Sequence, residues 1–377
     1  MAGLVYTIYN CGTAFNSAKD DAVAKLNRMT LSDHDINDGA GSGTFKPDLF
    51  GGRDNPGGTN KKHEIAAIGI GAVVAGPLGA AAAPFVVKGL EKLGGMLFGV
   101  GVEHNVRDAV AAIAGKQPDV VNMCGWSRGA VTCSKIAFQM HQIPALRDIP
   151  VNIFNIDPVP GTSPLGNKQN WKNITLTPNV RRMVALFAQH ERKWIFTPAR
   201  PTPNGVTQLE IDTFPGVHGS MVLPTEGMSD VSTLVLDYAK RFLTECGTQF
   251  LSPLLLSRNA QLFHYARVQA DFHKYRDVGR KDGRFMPFSP VTRVIKDDRG
   301  KKVGKFSPDR GGFFINNHHE RIFRTAYPHL TRELTAPPDK AFSNETRSYW
   351  VNELAIMTKA DPVAAEQVTA YLGNFRK

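Results

Sequence analysis

The chain has 377 residues, 42% hydrophobic and 21% charged, with a net charge of +11 at pH 7. That composition excludes wholesale disorder and a collagen-like fibre. Its four cysteines, without any paired CxxC spacing, exclude a disulfide-stapled scaffold or a zinc finger and read as free thiols. The length allows two or three domains, or one α/β domain with insertions. The basic balance suits nucleic acid, an anionic membrane surface or an anionic substrate, without choosing among them.

In chain order, residues 4–9 form a β-branched and aromatic run ended by Asn10-Cys11-Gly12-Thr13, a first strand and tight turn. Residues 18–29 carry a helix pattern, and 37–59, rich in Gly, Asp, Asn and Pro, read as loop. Residues 65–87 hold no charge. Their length could cross a bilayer core, but Gly76-Pro77, Pro84 and the Ala/Gly bulk fit buried or lid helices better, and a surface-inserting hairpin lies between. Helical spacing follows at 102–114, a short apolar strand at 119–124, a helix at 130–140 and a strand at 151–156. Residues 180–190 read as helix, 209–214 as strand and 231–246 as helix. Short apolar strands alternating with helices predict a mainly parallel α/β sheet. Beyond about residue 250 the pattern changes: residues 258–333 hold 17 Lys/Arg against 8 Asp/Glu. The expected organisation is a catalytic domain over 1–250, with an apolar insertion at about 60–97, followed by a basic appendage over 251–377 of irregular α/β or helical character. That appendage would serve as a cap or as a membrane- or substrate-binding part.

Between the strand at 119–124 and the helix at 130–140 stands Gly125-Trp126-Ser127-Arg128-Gly129, a G-x-S-x-G pentapeptide. A serine on a sharp strand-to-helix turn exposes its Oγ at the carboxyl edge of a sheet, and the flanking glycines permit the tight packing. The helix N-terminus and the Arg128 N–H would face a developing oxyanion. An ordinary βα loop with an N-cap serine is the alternative. A hydrolase triad then needs an acid and a histidine, in that chain order. Asp157, before Pro158 at the end of the next strand, is the first candidate acid, although an Asp that merely starts a turn is common. Asp212 ranks second, with Glu210 also near. His218, in Pro215-Gly216-Val217-His218-Gly219, is the one histidine of eleven in such a strand-end setting downstream of both. Ser127 would be nucleophile, His218 the base and Asp157 its orienting acid. The second oxyanion donor would come from the amides of Cys11, Gly12 or Thr13. No cofactor and no metal are needed, and His318-His319-Glu320 puts its neighbours on different faces.

These residues resemble the α/β-hydrolase family of type VI secretion phospholipase effectors, formerly an uncharacterised-domain family. Asn10-Cys11-Gly12-Thr13-Ala14-Phe15-Asn16 resembles its opening Asp-Gly-Thr-x-Asn, with Cys11 in place of the Asp. Asn37-Asp38-Gly39-Ala40-Gly41-Ser42 resembles its Asp-Gly-x-Gly segment. Phe98-Gly99-Val100-Gly101 and the helix at 106–112 resemble its glycine turn and following helix. Gly125 through Ala130 resembles its elbow, and Phe214-Pro215-Gly216-Val217-His218 its histidine loop. Val180-Arg181 through Glu191-Arg192 and Phe196 resembles its Val-Arg…Ala-x-x-Glu-x-Arg…Phe stretch. The likeness spans about residues 4–245. It departs after His218, where Gly219-Ser220-Met221-Val222 replaces an acidic, glycine-rich continuation. It implies an α/β-hydrolase fold with nucleophile Ser127, acid Asp157 and base His218, and hydrolysis of lipid esters, of phospholipids in particular. It also implies an antibacterial effector, cytoplasmic in the producing cell and delivered into target cells, and the opening residues, without a basic stretch followed by a long apolar run, are expected to hold no Sec signal peptide. A phospholipid membrane would be the substrate, and a secretion apparatus or an immunity protein the partner.

Two other readings stand beside this one. A catalytically degenerate module would keep the hydrolase fold and bind a partner or membrane without turnover. Nucleic-acid binding would use Phe263, Tyr265, Phe272 and Tyr275, interleaved with Arg267, Lys274 and Arg276; aromatic residues at helical spacing fit a core better. Arg128 could hold a phosphate or a carboxylate, or pin the elbow structurally, which is the preferred reading. Glu191 with Arg192 reads as a structural partner.

Overall fold

The computed structural model describes residues 3–39, 102–161, 171–224, 228–253, 255–284, 292–306, 314–326, 328 and 344–366. The apolar stretch at 65–87 and most of the loop expected at 37–59 lie outside them.

Among the described residues, six strands make one parallel sheet: β1 (Val5–Asn10), β2 (His34–Asn37), β3 (Val120–Trp126), β4 (Val151–Ile156), β5 (Val180–Ala188) and β7 (Gln208–Phe214), in the order β2-β1-β3-β4-β5-β7. Side chains alternate between its faces. On one face Tyr6, Ile8, Val121, Met123, Val151, Ile153 and Met183 pack against α2 (Val102–Lys116) and α3 (Arg128–Gln142). On the other, Tyr9, Cys124, Phe154, Leu186 and Phe214 pack against α1 (Ala22–Met29) and α4 (Asp230–Glu245). Helices on both faces of a parallel sheet make a doubly wound α/β domain. Local chemistry starts its helices: Asp21 Oδ1 caps α1 by accepting from the amides of Val23 and Ala24, at 2.9 and 3.2 Å.

Most expected elements form within a few residues of their sequence boundaries. The exception is the helix expected at 180–190, which is strand β5. Met183 through Ala188 are all buried. A strand covered on both faces loses its alternation, and a short continuous apolar run then imitates a helix.

Described helices of the C-terminal region pack into this core. Helix α5 (Arg258–Ala270), capped by Ser257, contributes Leu262, Phe263 and Tyr265 to the cluster that holds Phe154 and Phe214. Helix α6 (Phe272–Arg284) adds Tyr275, α7 (Asn317–Ala326) adds Ile322 and Phe323, and α8 (Asn344–Ala360) adds Met357. Phe263, Tyr265, Phe272 and Tyr275, the rings considered for base stacking, are all buried. A second small sheet joins β6 (Ala199–Arg200), β8 (Val294–Asp297) and β9 (Lys302–Lys305); β8 runs parallel to β6 and antiparallel to β9.

Candidate active site

Strand order reverses beside β1, with β2 on one side and β3 on the other, so the crevice at the carboxyl ends of β1 and β3 is the topological switch point where ligands of such sheets bind. Ser127 stands there, between β3 and α3. Its backbone is at φ 59° and ψ −124°, a region L-residues avoid and a sharp elbow imposes. The elbow is tight enough to require glycine on either side. A Cβ on Gly129 would stand 2.0 Å from the Asn10 carbonyl oxygen, and one on Gly125 2.5 Å from Gly129.

Asp157 ends the neighbouring strand. The register sets Trp126 opposite Ile156, the Ser127 N–H donates to Ile156 O at 3.0 Å, and the Val159 N–H donates to Ser127 O at 3.3 Å. Serine and acid therefore emerge side by side. His218 arrives from the loop after β7. That loop is clamped twice by the segment after β5: the Gly216 N–H donates to His190 Nδ1 at 2.9 Å, and the His218 N–H donates to Glu191 Oε2 at 3.0 Å. The other Glu191 oxygen accepts from the amides of Arg192 and Lys193. Glu191 is thus a buried anchor of the histidine loop.

The His218 Nδ1–H donates to Asp157 Oδ2 at 2.6 Å. The imidazole is sandwiched between Trp126, 5.1 Å away between ring centroids, and Phe196, at 4.5 Å. Since Trp126 immediately precedes Ser127, the same residue that shapes the elbow flanks the imidazole. Ser127, Asp157 and His218 are all buried, at 4%, 0% and 6% exposure. No hydrogen bond joins Ser127 Oγ to His218 among the described residues; in unliganded hydrolases this contact is often long and tightens with substrate.

Arg293, from the basic C-terminal region, is what sequence reasoning missed. Its guanidinium is buried and grips Asp157 with both ends, Nη1 to Oδ1 at 2.6 Å and Nη2 to Oδ2 at 2.8 Å. It also donates to the carbonyls of Ala188 and Phe196, each at 2.7 Å. The small sheet carries it there: β8 pairs with β6, Lys296 opposite Ala199, and the Ala199 N–H is tied to Pro158 O at 2.9 Å, next to the acid. With the Ala188 amide at 3.0 Å, Asp157 accepts four hydrogen bonds. Burial alone pushes its carboxyl up, but the Arg293 charge and the His218 contact outweigh this and hold it at about 2. Nothing in the sequence distinguishes Arg293 from the other cations of its stretch, and 136 residues separate it from Asp157.

The oxyanion candidates divide. The Cys11 N–H is committed to Asn37 O at 3.0 Å, so Cys11 drops out as a donor. The amides of Gly12 and Thr13 have no acceptor among the described residues. Gly12 lies flat on Trp126, where a Cβ would stand 2.3 Å from the indole. The Arg128 side chain donates to Thr13 Oγ1 at 3.0 Å and packs on Gly161, joining the elbow to the β1 loop; burial lowers its pKa to about 10. Asp212 and Glu210, the reserve acids, face α4 and α7 instead, bonding to Asn317, Tyr238 and Arg321. His319 stacks on Tyr265 and accepts from the Ile315 amide, and His318 stacks on Tyr238. No group of three or more His, Cys, Asp or Glu that could hold a metal occurs among the described residues.

A parallel sheet with a strained serine at its switch point and a buried acid–histidine pair at the adjoining strand ends makes this an α/β-hydrolase-like fold. No family model matches the chain, and no curated protein does. Among solved structures it is similar to the Tle1 effector bound to the VgrG spike from the Type 6 secretion system, at 14% identity and a TM-score of 0.32. The match covers 58% of this chain and 51% of that one, so the chain spans about half the length of that neighbour.

Proposed function

We propose that the chain is a serine hydrolase of lipid esters, acting on phospholipid bilayers as an effector of type VI secretion. The observation that carries the reading is the buried Asp157–His218 hydrogen bond beside Ser127, a non-glycine residue at φ 59°. Ser127 Oγ attacks the acyl carbonyl as His218 Nε2 takes its proton. Asp157 keeps the imidazole in the Nδ1–H tautomer and stabilises the cation that forms. The amides of Arg128 and of Gly12 or Thr13 receive the oxyanion. The imidazolium then protonates the leaving alcohol, and a water repeats the sequence to release the fatty acid. The likeness of the elbow and histidine loop to the phospholipase family supports phospholipid as the substrate. The surplus of Lys and Arg suits an anionic bilayer, each cation near the surface contributing about 1 kcal/mol.

The experiment is hydrolysis of mixed phospholipid vesicles with products read by mass spectrometry, wild type beside Ser127→Ala. We expect at least ~10³-fold loss in the variant with thermal stability nearly unchanged; full activity in Ser127→Ala ends the reading. The lack of a Ser127–His218 hydrogen bond favours a second reading, a hydrolase fold that binds lipid without turnover. Vesicle binding by a wild type that releases no fatty acid would select it.

A further inference from the structure

The His218 imidazole is held at its Nδ1 edge and on both faces. The edge donates to Asp157 Oδ2. The Phe196 ring lies 4.5 Å from it between centroids, with 19° between the planes, and the Trp126 indole 5.1 Å from it, with 30°. Phe196 and Trp126 make no ring contact with each other, as two rings stacked on one face must, so they cover opposite faces. A hydrogen bond fixes one point of a ring. The terminal torsion of histidine has a broad minimum, so an imidazole tied at Nδ1 alone still rocks, and Nε2 at its other edge moves with it. Two nearly parallel walls remove that freedom and leave the ring its own plane, the plane in which Nε2 takes and gives its proton.

Both walls are anchored. Trp126 lies on Gly12 and meets the edge of the Phe15 ring at 4.9 Å. Phe196 ends the helical turn Trp194–Phe196. Its N–H donates to Lys193 O at 2.9 Å, and its carbonyl accepts from Arg293 Nη2 at 2.7 Å. The guanidinium that grips Asp157 therefore also fixes the backbone of the ring that covers His218.

We propose that Phe196 is a positioning residue for the base, with Trp126 as its counterpart: its ring confines the imidazole plane and so fixes the direction in which Nε2 points. The kinetic consequence rests on the hydrolase reading; the confinement does not. Proton transfer depends steeply on the alignment of the groups that exchange the proton. A loosened imidazole therefore lowers kcat and leaves KM little changed.

Phe196 suits a test because it is half-buried and its link to Arg293 runs through its carbonyl. Phe196→Leu removes the ring and keeps apolar bulk and that carbonyl; Phe196→Tyr keeps the ring. Proton NMR of the full-length protein with isotopically labelled histidine reads the His218 Nδ1–H as a downfield signal slow to exchange, assigned by its loss in His218→Gln. The buried bond of His264 Nδ1 to Asp230 Oδ1, at 2.8 Å, is the reference in the same spectrum. We expect Phe196→Leu to broaden or lose the His218 signal, to keep that of His264, and to lower kcat for p-nitrophenyl butyrate at least ~tenfold with KM little changed. Phe196→Tyr should match the wild type in all of these. An undiminished His218 signal in Phe196→Leu, or a Phe196→Tyr that behaves like Phe196→Leu, overturns the proposal. So does a wild type that shows the His264 signal and none from His218. A raised KM with kcat unmoved also overturns it, by making Phe196 a substrate contact. A lost His218 signal with kcat and KM unmoved removes the kinetic role alone. If Phe196→Leu loses both signals it has not folded, and Phe196→Met decides in its place. A wild type that cleaves no ester removes the hydrolase reading and leaves the confinement to the NMR signal.

Discussion

Arg293 sets the electrostatics of the Asp157–His218 pair. A carboxylate wholly out of water would be driven toward its neutral form, and a neutral acid holds an imidazolium poorly. The bidentate guanidinium reverses that preference. Because the folded value of about 2 lies below the unfolded value, Asp157 contributes stability that is complete above about pH 4 and is lost as pH falls toward 2. Arg293→Met leaves a buried charge without its partner, and we expect a cost of about 3–5 kcal/mol. Urea unfolding between pH 3 and 7 should show the acid-induced loss shrinking in the variant. The same cation competes with His218 for the Asp157 charge. In Arg293→Gln burial drives the Asp157 carboxyl back toward its neutral form, so activity that needs the carboxylate should fail at a higher pH and the acid limb of kcat/KM should move up. A purely structural role would instead lower kcat/KM equally at every pH.

Among the elements, the junction of β7 with α7 carries two carboxylates shifted in opposite directions. Glu210 and Asp212 lie on one face of β7. Glu210 keeps its charge against Arg321 and Tyr238, while Asp212 accepts the Asn317 amide at the start of α7. Burial first, and then the Glu210 charge, push the Asp212 carboxyl up to about 7 against the pull of that amide. A raised carboxyl favours the fold fully below its unfolded value near 4, and the benefit is lost as pH rises through 7. Asp212→Asn keeps the acceptor and removes the ionisation. We expect it to stabilise the protein by ~2 kcal/mol at pH 8 and to leave it unchanged at pH 4, as read by thermal melts at both. This neighbourhood also marks what periodicity conveys. β7 was legible because its apolar and polar residues alternate, whereas β5, buried on both faces, was read as a helix. β2, four half-polar residues at the sheet edge, left no pattern to read.

At the scale of the whole molecule, the basic C-terminal region completes the core of the hydrolase-like sheet. Its cations give it the look of an appendage, but Phe263, Tyr265, Phe272, Tyr275 and Phe323 are buried. Phe214 of β7 stacks on Tyr265 of α5, which stacks on His319 of α7. Each such buried side chain is worth roughly 1.5–3 kcal/mol, so ending the chain after residue 250 strips the apolar cover that α5 to α8 add to the α1/α4 side of the sheet. We expect that truncation to lack a cooperative unfolding transition by calorimetry and to be inactive even with Ser127, Asp157 and His218 present. A sharp melt from the fragment would mean that residues 1–250 fold on their own.

By itself the sequence determined the strand–helix rhythm, the glycine-flanked elbow at Ser127 and the chain order of serine, acid and histidine. These are local matters: the period of apolar residues, the sterics of a turn and the residues that end a strand. Only the tertiary structure decided which acid meets His218, which amide near Cys11 is already engaged, and that a cation 136 residues away grips Asp157. Such pairings depend on which segments the sheet order brings to one edge, and that order comes from burying two faces of the sheet at once, a condition no short stretch of chain can express.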